Sequence, residues 1–341
     1  MTSPRYADAG VDLDAADEAK TRIGELVAGT RTALSAGTIG AFGGMIRVPP
    51  DVQRPVLVMS TDGVGTKVLI AQQAGRLDTV GLDLVNHSVN DILVHGARPL
   101  AFMDYVAGHR LTSSAIAEIV AGVARGCRDH GMSLAGGETA QMPGLYAAGT
   151  FDLAGTIIGV VDESAAIHGD RIAPGDTLIA YASTGLHTNG YTLARRVLLE
   201  EMQLPLSSPL PGTSSPLVDT LLAVHRSYDS AIRPVLPLMH GLAHITGGGI
   251  GGNLIRVLPE QCVARIDAAS WEWPAVFRTI ATGGNIAVAE MRDVFNLGVG
   301  MIAIVPPEAA AGVRAAAASA GVATWECGTI ARGQRAVEFV P

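Results

Sequence analysis

The sequence predicts an α+β protein, mixed α/β in character and built as two domains, and three observations point there. Its 341 residues exceed the roughly 150 that one ordinary domain holds. Hydrophobic residues make up 48% and charged residues 16%, which supplies a real core and excludes a disordered chain. Strand-like apolar runs alternate with helical periodicities in both halves. The polar stretch Glu163–Asp176, with Gly169, Pro174 and Gly175, separates residues 1–165 from residues 170–341.

The elements follow in order. The start is acidic, with a helix expected around Ala16–Val27. Val56–Ser60 reads as a short strand running into Thr61-Asp62-Gly63-Val64-Gly65-Thr66-Lys67. Val85, Val89, Ile92 and Leu93 set a helix over Asp83–Val94, with Gly96 just past its end. Ala101–Ala107 is a strand. Ser114–His130 is an amphipathic helix on Ile116, Ile119, Val120, Val123 and Cys127, closed by Gly131. A short strand, Ser133–Ala135, delivers Gly136-Gly137-Glu138 to a loop, and the Pro-free Leu153–Val161 suits a sheet interior.

The second half opens with the strand Thr177–Ser183, the loop Gly185–Gly190 and a helix from Tyr191. Leu204–Pro216 is a Pro/Ser-rich surface connector. A helix is expected over Leu217–Leu236, then the Gly247–Gly252 loop and a helix near Pro274–Thr282. The strand Leu297–Val305, an Ala-rich helix over Glu308–Ala320 and two terminal strands complete the chain.

Composition narrows the function. A net charge of −8 argues against a broad nucleic-acid surface, and no apolar run reaches the roughly 18 residues of a membrane span. The acidic start is unlike a secretory leader. Three cysteines without paired spacing disfavour a disulfide framework and suit a reducing compartment, so a cytoplasmic protein is expected. Arginines outnumber lysines 22 to 2, yet one lysine, Lys67, stands in a Gly-rich loop.

The 41 glycines cluster after strand-like runs, where phosphate-binding loops are placed. Asp62, Gly63, Gly65 and Lys67 join a carboxylate suited to magnesium, backbone donors suited to phosphate and an ammonium. A tight turn with a solvated Asp and Lys would use the same residues. Asp83, His87 and Asp91 recur at i, i+4 and i+8, beside Asn86 and Asn90. Glu138 is a third acid in Gly-rich surroundings; buried carboxylates need a partner, and magnesium with nucleotide phosphates is a natural one. In the second half, Ser183–Gly190 and His244–Gly249 each combine a histidine with hydroxyls and glycines, the latter string placing His244 beside Thr246-Gly247-Gly248-Gly249. His187 and His244 are the candidate proton handlers.

Together these segments resemble the phosphoribosylformylglycinamidine cyclo-ligases over nearly the whole chain. The resemblance rests on Asp8-Ala9-Gly10-Val11-Asp12, Gly40-Ala41-Phe42-Gly43, Thr61–Lys67, Val89-Asn90-Asp91-Ile92 and Gly136-Gly137-Glu138-Thr139-Ala140-Gln141-Met142-Pro143-Gly144. It continues through Gly185–Tyr191, Thr246–Gly249, Trp271-Glu272-Trp273-Pro274 and Phe295–Met301. It implies a homodimer joined by N-terminal domains in a β-barrel-like interface, with a C-terminal α/β domain completing the substrate cleft. It implies ATP-dependent closure of formylglycinamidine ribonucleotide to aminoimidazole ribonucleotide in purine biosynthesis, with ADP and phosphate released.

Carried over, Gly40, Gly43, Asp62, Gly63, Gly65, Lys67, Asn90, Asp91, Gly136 and Gly137 are implied ATP contacts, with Lys67 also catalytic. Asp62, Asp91 and Glu138 are implied Mg2+ ligands. Thr61, Met142, Pro143, Gly144, Thr184, Gly185, His187, Asn189, Gly247, Gly248 and Gly249 are implied substrate contacts. The chain departs from the family at Ala28 and Gly29, where lysines are usual, and at Asn86-His87 and Arg98. The rival readings are another ATP-using enzyme of the superfamily, such as a thiamine-monophosphate kinase, or a silent nucleotide-binding scaffold. The charged residues Asp62, Lys67, Asp91 and Glu138 in Gly-rich loops argue against a scaffold.

Overall fold

The computed structural model describes residues 22–38 and 40–341; the Asp8–Asp12 string and the first half of the helix expected around Ala16–Val27 lie outside these residues. The chain folds as two compact units. One comprises the residues up to Ile92 with Arg98–Asp162, the other Leu93–Ala97 with Glu163–Pro341.

In the first unit a two-stranded ribbon, β1 (Ser35–Ala36) and β2 (Met45–Ile46), precedes β3 (Pro55–Gly63). Helices α1 (Lys67–Ala74) and α2 (Asp78–Leu93) follow. Then come β4 (Arg98–Gly108), α3 (Ser113–Asp129), β5 (Ser133–Gln141) and β6 (Phe151–Asp162). The sheet order is β3-β6-β4-β5. Its β4/β5 pair is parallel, the arrangement that needs the crossover helix α3, and the other pairs are antiparallel. α3 is capped by the Thr112 hydroxyl, which accepts from Ala115 N at 3.1 Å.

Helices α2 and α3 meet through glycines. A Cβ at Gly81 would lie 2.3 Å from the Ile119 carbonyl oxygen, and one at Gly122 would lie 2.0 Å from the Asp78 carbonyl oxygen. Only the absence of side chains allows this approach. One sheet face is thereby covered, whereas Leu57 and Met59 on β3 remain exposed. Gly136-Gly137-Glu138 correct the expected loop: they continue β5, held by β4 in the register Asp104↔Gly137.

The second unit carries β7 (Thr177–Ala182), α4 (Tyr191–Arg195), α5 (Leu217–Leu221), α6 (Asp229–Ile232) and β8 (Gly241–His244). Next are α7 (Gly249–Leu254), β9 (Cys262–Asp267), α8 (Ala275–Gly283), α9 (Val288–Val294) and β10 (Val299–Val305). α10 (Ala310–Ser319), β11 (Thr324–Arg332) and β12 (Ala336–Val340) end it. The six strands run in the order β12-β9-β11-β7-β10-β8.

Both faces of this sheet are covered. Ile179, Tyr181 and Met301 join one apolar cluster, and Leu178, Ala180 and Ile302 join the other. Every residue of β10 is therefore buried, which is why its sequence reads as an unbroken apolar run. The helix expected over Leu217–Leu236 is broken into α5, α6 and a 3-10 segment, Arg233–Leu238. Pro234 and Pro237 deny helical donors, and residues 223–228 leave the helix so that Tyr228 can donate to the Ala182 carbonyl at 3.0 Å.

Candidate functional site

In the first unit, β3 and α2 bring two of the predicted acids to one atom. Asp62 Oδ2 lies 2.8 Å and Asp91 Oδ2 3.5 Å from His87 Nε2. The Ser60 hydroxyl donates to Asp91 Oδ2 at 3.0 Å, and Gly63 N donates to Asp62 Oδ1 at 2.8 Å. His87 is 3% exposed. Burial alone would lower its pKa, but the bonds and charges of Asp62 and Asp91 outweigh burial and hold it up to about 9. An imidazolium thus sits between the carboxylates at neutral pH. Asn90, next to Asp91, is fully buried.

Lys67 has a different setting from the one its loop suggested. It is the first residue of α1, and its Nζ lies 2.8 Å from Asp83 Oδ2 with both side chains wholly enclosed. Burial depresses the ammonium pKa against the pull of Asp83. The i, i+4, i+8 series on α2 is therefore split between two partners, Lys67 for Asp83 and His87 with Asp91.

A cleft of about 440 Å³ opens elsewhere in the same unit, lined by Gly40, Gly43, Gly44, Asp104, Gly137 and Glu138 among others. Asp104 was not legible as a site residue. It shares the sheet row Asp62↔Gly155↔Asp104↔Gly137, so it stands two strand spacings, about 10 Å, from Asp62. A Cβ at Gly137 would lie 2.1 Å from Asp104 Oδ1; glycine there makes room for the carboxyl. By strand alternation Glu138 faces the other side of the sheet, on the strand farthest from β3. Within one chain it does not join Asp62 and Asp91.

Burial raises the Asp104 pKa to about 7. An unfolded Asp ionises near about 4. The stability this carboxyl contributes is therefore complete below the unfolded value and lost as pH rises through 7. Asp104→Asn is expected to gain in Tm over the wild-type chain between pH 5 and about 8. Differential scanning calorimetry across that range checks it, and a Tm difference independent of pH would contradict the assignment.

Thr61 Oγ1 lies 2.7 Å from Thr156 Oγ1 on the open sheet face, apart from the Asp62 cluster. Met142-Pro143-Gly144 form the turn after β5, with Met142 N donating to Gly108 O at 2.7 Å.

In the second unit two glycine loops lie side by side. Thr184 N donates to His187 Nε2 at 3.2 Å, and the Thr184 hydroxyl donates to Val224 O at 2.6 Å. His187 takes a left-handed backbone conformation, φ 62°, costly for a residue with a Cβ and typical of functional turns. Asn296 Nδ2 donates to Gly185 O at 2.8 Å. Asn253 Nδ2 donates to Gly247 O at 3.2 Å and to Gly249 O at 2.8 Å, which pins the Thr246–Gly249 loop; a Cβ at Gly247 would lie 3.3 Å from Asn189 Oδ1. His187 and His244 are linked by a third histidine, His225, which lay unseen inside the expected long helix. The structure thus gathers Thr184, Gly185, His187, Asn189, His244 and Gly247 in this unit.

Cys127, Cys262 and Cys327 are all buried free thiols. Among the described residues no helix is long and apolar enough to cross a membrane.

Comparison with known proteins places these residues in context. Residues 40–161 match the AIR synthase related protein N-terminal domain, and residues 173–340 match its C-terminal domain. A phosphoribosylformylglycinamidine cyclo-ligase of Myxococcus xanthus is 47% identical over 96% of this chain and 96% of its own length. One from Sorangium cellulosum is 46% identical over 96% of this chain and 95% of its own length. Among solved structures, thiamine-monophosphate kinase from Stenotrophomonas maltophilia superposes with a TM-score of 0.66 at 18% identity, covering 92% of this chain and 94% of its own. The hydrogenase maturation protein HypE in complex with ATP superposes at 0.62 and 19% identity, over 90% and 84% of the two chains. At these identities the two structures share the fold alone.

Proposed function

This chain belongs to the AIR synthase related family and, within it, to the phosphoribosylformylglycinamidine cyclo-ligases, and from that premise we propose how its residues divide the work. It is a ligase of purine biosynthesis that closes formylglycinamidine ribonucleotide to aminoimidazole ribonucleotide at the expense of ATP. The first unit takes ATP, and the second takes the ribonucleotide through its glycine loops. The observation that carries this reading is the convergence of Asp62 and Asp91 on a single atom at the end of β3.

Those carboxylates are the hard oxygen donors that magnesium selects, and the His87 imidazolium between them marks a place where positive charge is favoured. Asp62 and Asp91 would hold the ion, which when bound neutralises charge on the nucleotide phosphates. The Gly40–Gly44 loop and Gly136-Gly137 supply close backbone approach in the cleft; Glu138 faces that cleft instead of the Asp62 pair. Phosphorylation of the formyl oxygen turns a poor leaving group into phosphate. The amidine-side nitrogen then attacks the carbon, phosphate departs, and His187 and His244 handle the proton that the nitrogen gives up. The fixed loops hold the reacting atoms in line and keep out water that would waste ATP.

The assembly is proposed to be a homodimer. Its support is the uncovered face of the β3-β6-β4-β5 sheet, where Met59 is 64% exposed on an edge strand; such a strip invites pairing with a like strip. The reduced buried cysteines suit a cytoplasmic setting.

The test is product formation. Purified protein given ATP, Mg2+ and formylglycinamidine ribonucleotide should release ADP and phosphate in step with aminoimidazole ribonucleotide. Consumption of ATP with thiamine monophosphate but not with the formylglycinamidine nucleotide would overturn the reading.

A further inference from the structure

We propose that Asp104 is a specificity-determining residue of the nucleotide cleft, where its carboxylate receives the 2′- and 3′-hydroxyls of the ATP ribose. The proposal rests on the reading that the first unit takes ATP, and it deepens that reading by naming the part of the nucleotide that this residue inspects.

The cleft of about 440 Å³ has apolar walls at Ile23, Val27, Val120 and Leu134. Such walls grip a flat base and leave orientation to the few polar groups that face the ligand. Three of those groups are already engaged. Arg31 donates through Nη2 to Gly37 O at 3.2 Å, and the Ser35 and Ser133 hydroxyls bond each other at 2.6 Å. Glu138 is exposed, where water satisfies it. Asp104 differs. It is 9% exposed, and among the described residues its carboxyl meets no donor other than its own backbone N–H. Gly137 keeps it uncovered: a Cβ there would lie 2.1 Å from Asp104 Oδ1. An enclosed carboxylate short of donors is costly, and an asparagine of the same shape would carry no charge to bury. A group held in a cleft wall against its folding cost is explained by what the cleft admits.

The chemistry of that ligand follows from the carboxylate. It only accepts, and it has two oxygens to satisfy. A cis-diol brings two hydroxyl donors on adjacent carbons, one for each oxygen, and no charge that the apolar walls would reject. The amino edge of adenine fits less well, because its N1 lone pair would face the second oxygen. Asp104 also stands in the sheet row of Asp62, two strand spacings or about 10 Å away, a separation that the triphosphate of one nucleotide spans. Burial lifts the Asp104 pKa to about 7; two donated hydroxyls favour the charged form and offset that burial.

Isothermal titration calorimetry of the full chain in Mg2+ tests this with ATP, 2′-deoxy-ATP and 3′-deoxy-ATP. For the wild-type chain, loss of either hydroxyl is expected to weaken binding about 10- to 100-fold, the usual weight of a hydrogen bond to a charged group. Asp104→Leu is expected to bind all three nucleotides alike, and ATP at least about 10-fold more weakly than the wild-type chain does. A side chain that only filled space would not tell ribose from deoxyribose. Should Asp104→Leu fail to fold, Asp104→Asn, expected to be the more stable chain, decides it: its preference for ATP over the deoxynucleotides should shrink to less than about 5-fold. Equal affinity of the wild-type chain for all three nucleotides, or an undiminished preference in Asp104→Asn, would overturn the role of Asp104 and leave the ATP reading standing. A wild-type chain that binds no ATP would overturn the ATP reading and the proposal with it.

Discussion

Lys67→Met is expected to lower folding stability by about 3–5 kcal/mol, the cost of stranding one charge of a buried pair. Asp83 would be left enclosed without the ammonium that now lies 2.8 Å away. Replacing both partners, Lys67→Met with Asp83→Leu, should recover most of the loss, because two apolar groups of similar volume need no counter-charge. Urea unfolding of the three chains provides the measurement. A single variant as stable as wild type but unable to bind ATP would restore Lys67 to the phosphate role that its loop suggested. The prediction therefore decides between a structural and a ligand-facing lysine.

Asp62→Asn is expected to reduce turnover by about 10²- to 10³-fold, the usual loss when one electrostatic group of a preorganised site is removed. Asp62 is the nearer of the two carboxylates that hold His87, so the same substitution should move the His87 pKa down from about 9 toward the ordinary histidine range. Steady-state ADP release gives the first effect, and histidine proton resonances followed across pH give the second. A variant with wild-type turnover would remove Asp62 from the site. One with lost turnover and an unmoved His87 would break the link between the two.

Much of the architecture was legible because period and burial coincide. The amphipathic spacing on α3 put Ile116, Ile119, Val120, Val123 and Cys127 in the core, where the structure finds them. β10 showed its double burial as an unbroken apolar run. Other elements failed for tertiary reasons. The long helix from Leu217 looked continuous in its apolar spacing, yet the Tyr228 hydroxyl, the His225 side chain and the Val224 carbonyl bond elsewhere. Gly136-Gly137 looked like a loop, since nothing local says that a parallel neighbour will hold two glycines in a strand.

The site divides the same way. Asp62 and Asp91 announced themselves by their glycine and asparagine neighbours. Asp104 and His225 did not, because each acquires its meaning from residues distant in the chain, Gly137 for one and His244 for the other. His87 showed as the middle of the Asp83, His87, Asp91 series and as a departure from the family at Asn86-His87; its place between two acids needed the fold.

The glycine contact between α2 and α3 has a consequence for how this enzyme tolerates change. Gly81 sits less than two turns before His87 on the same rigid rod, and Gly122 is the fulcrum against which that rod rests. A single methyl group at either point must lever α2 outward and carry His87 and Asp91 off their aim at Asp62. Natural variation there would silence the enzyme from a distance while leaving every reacting group intact.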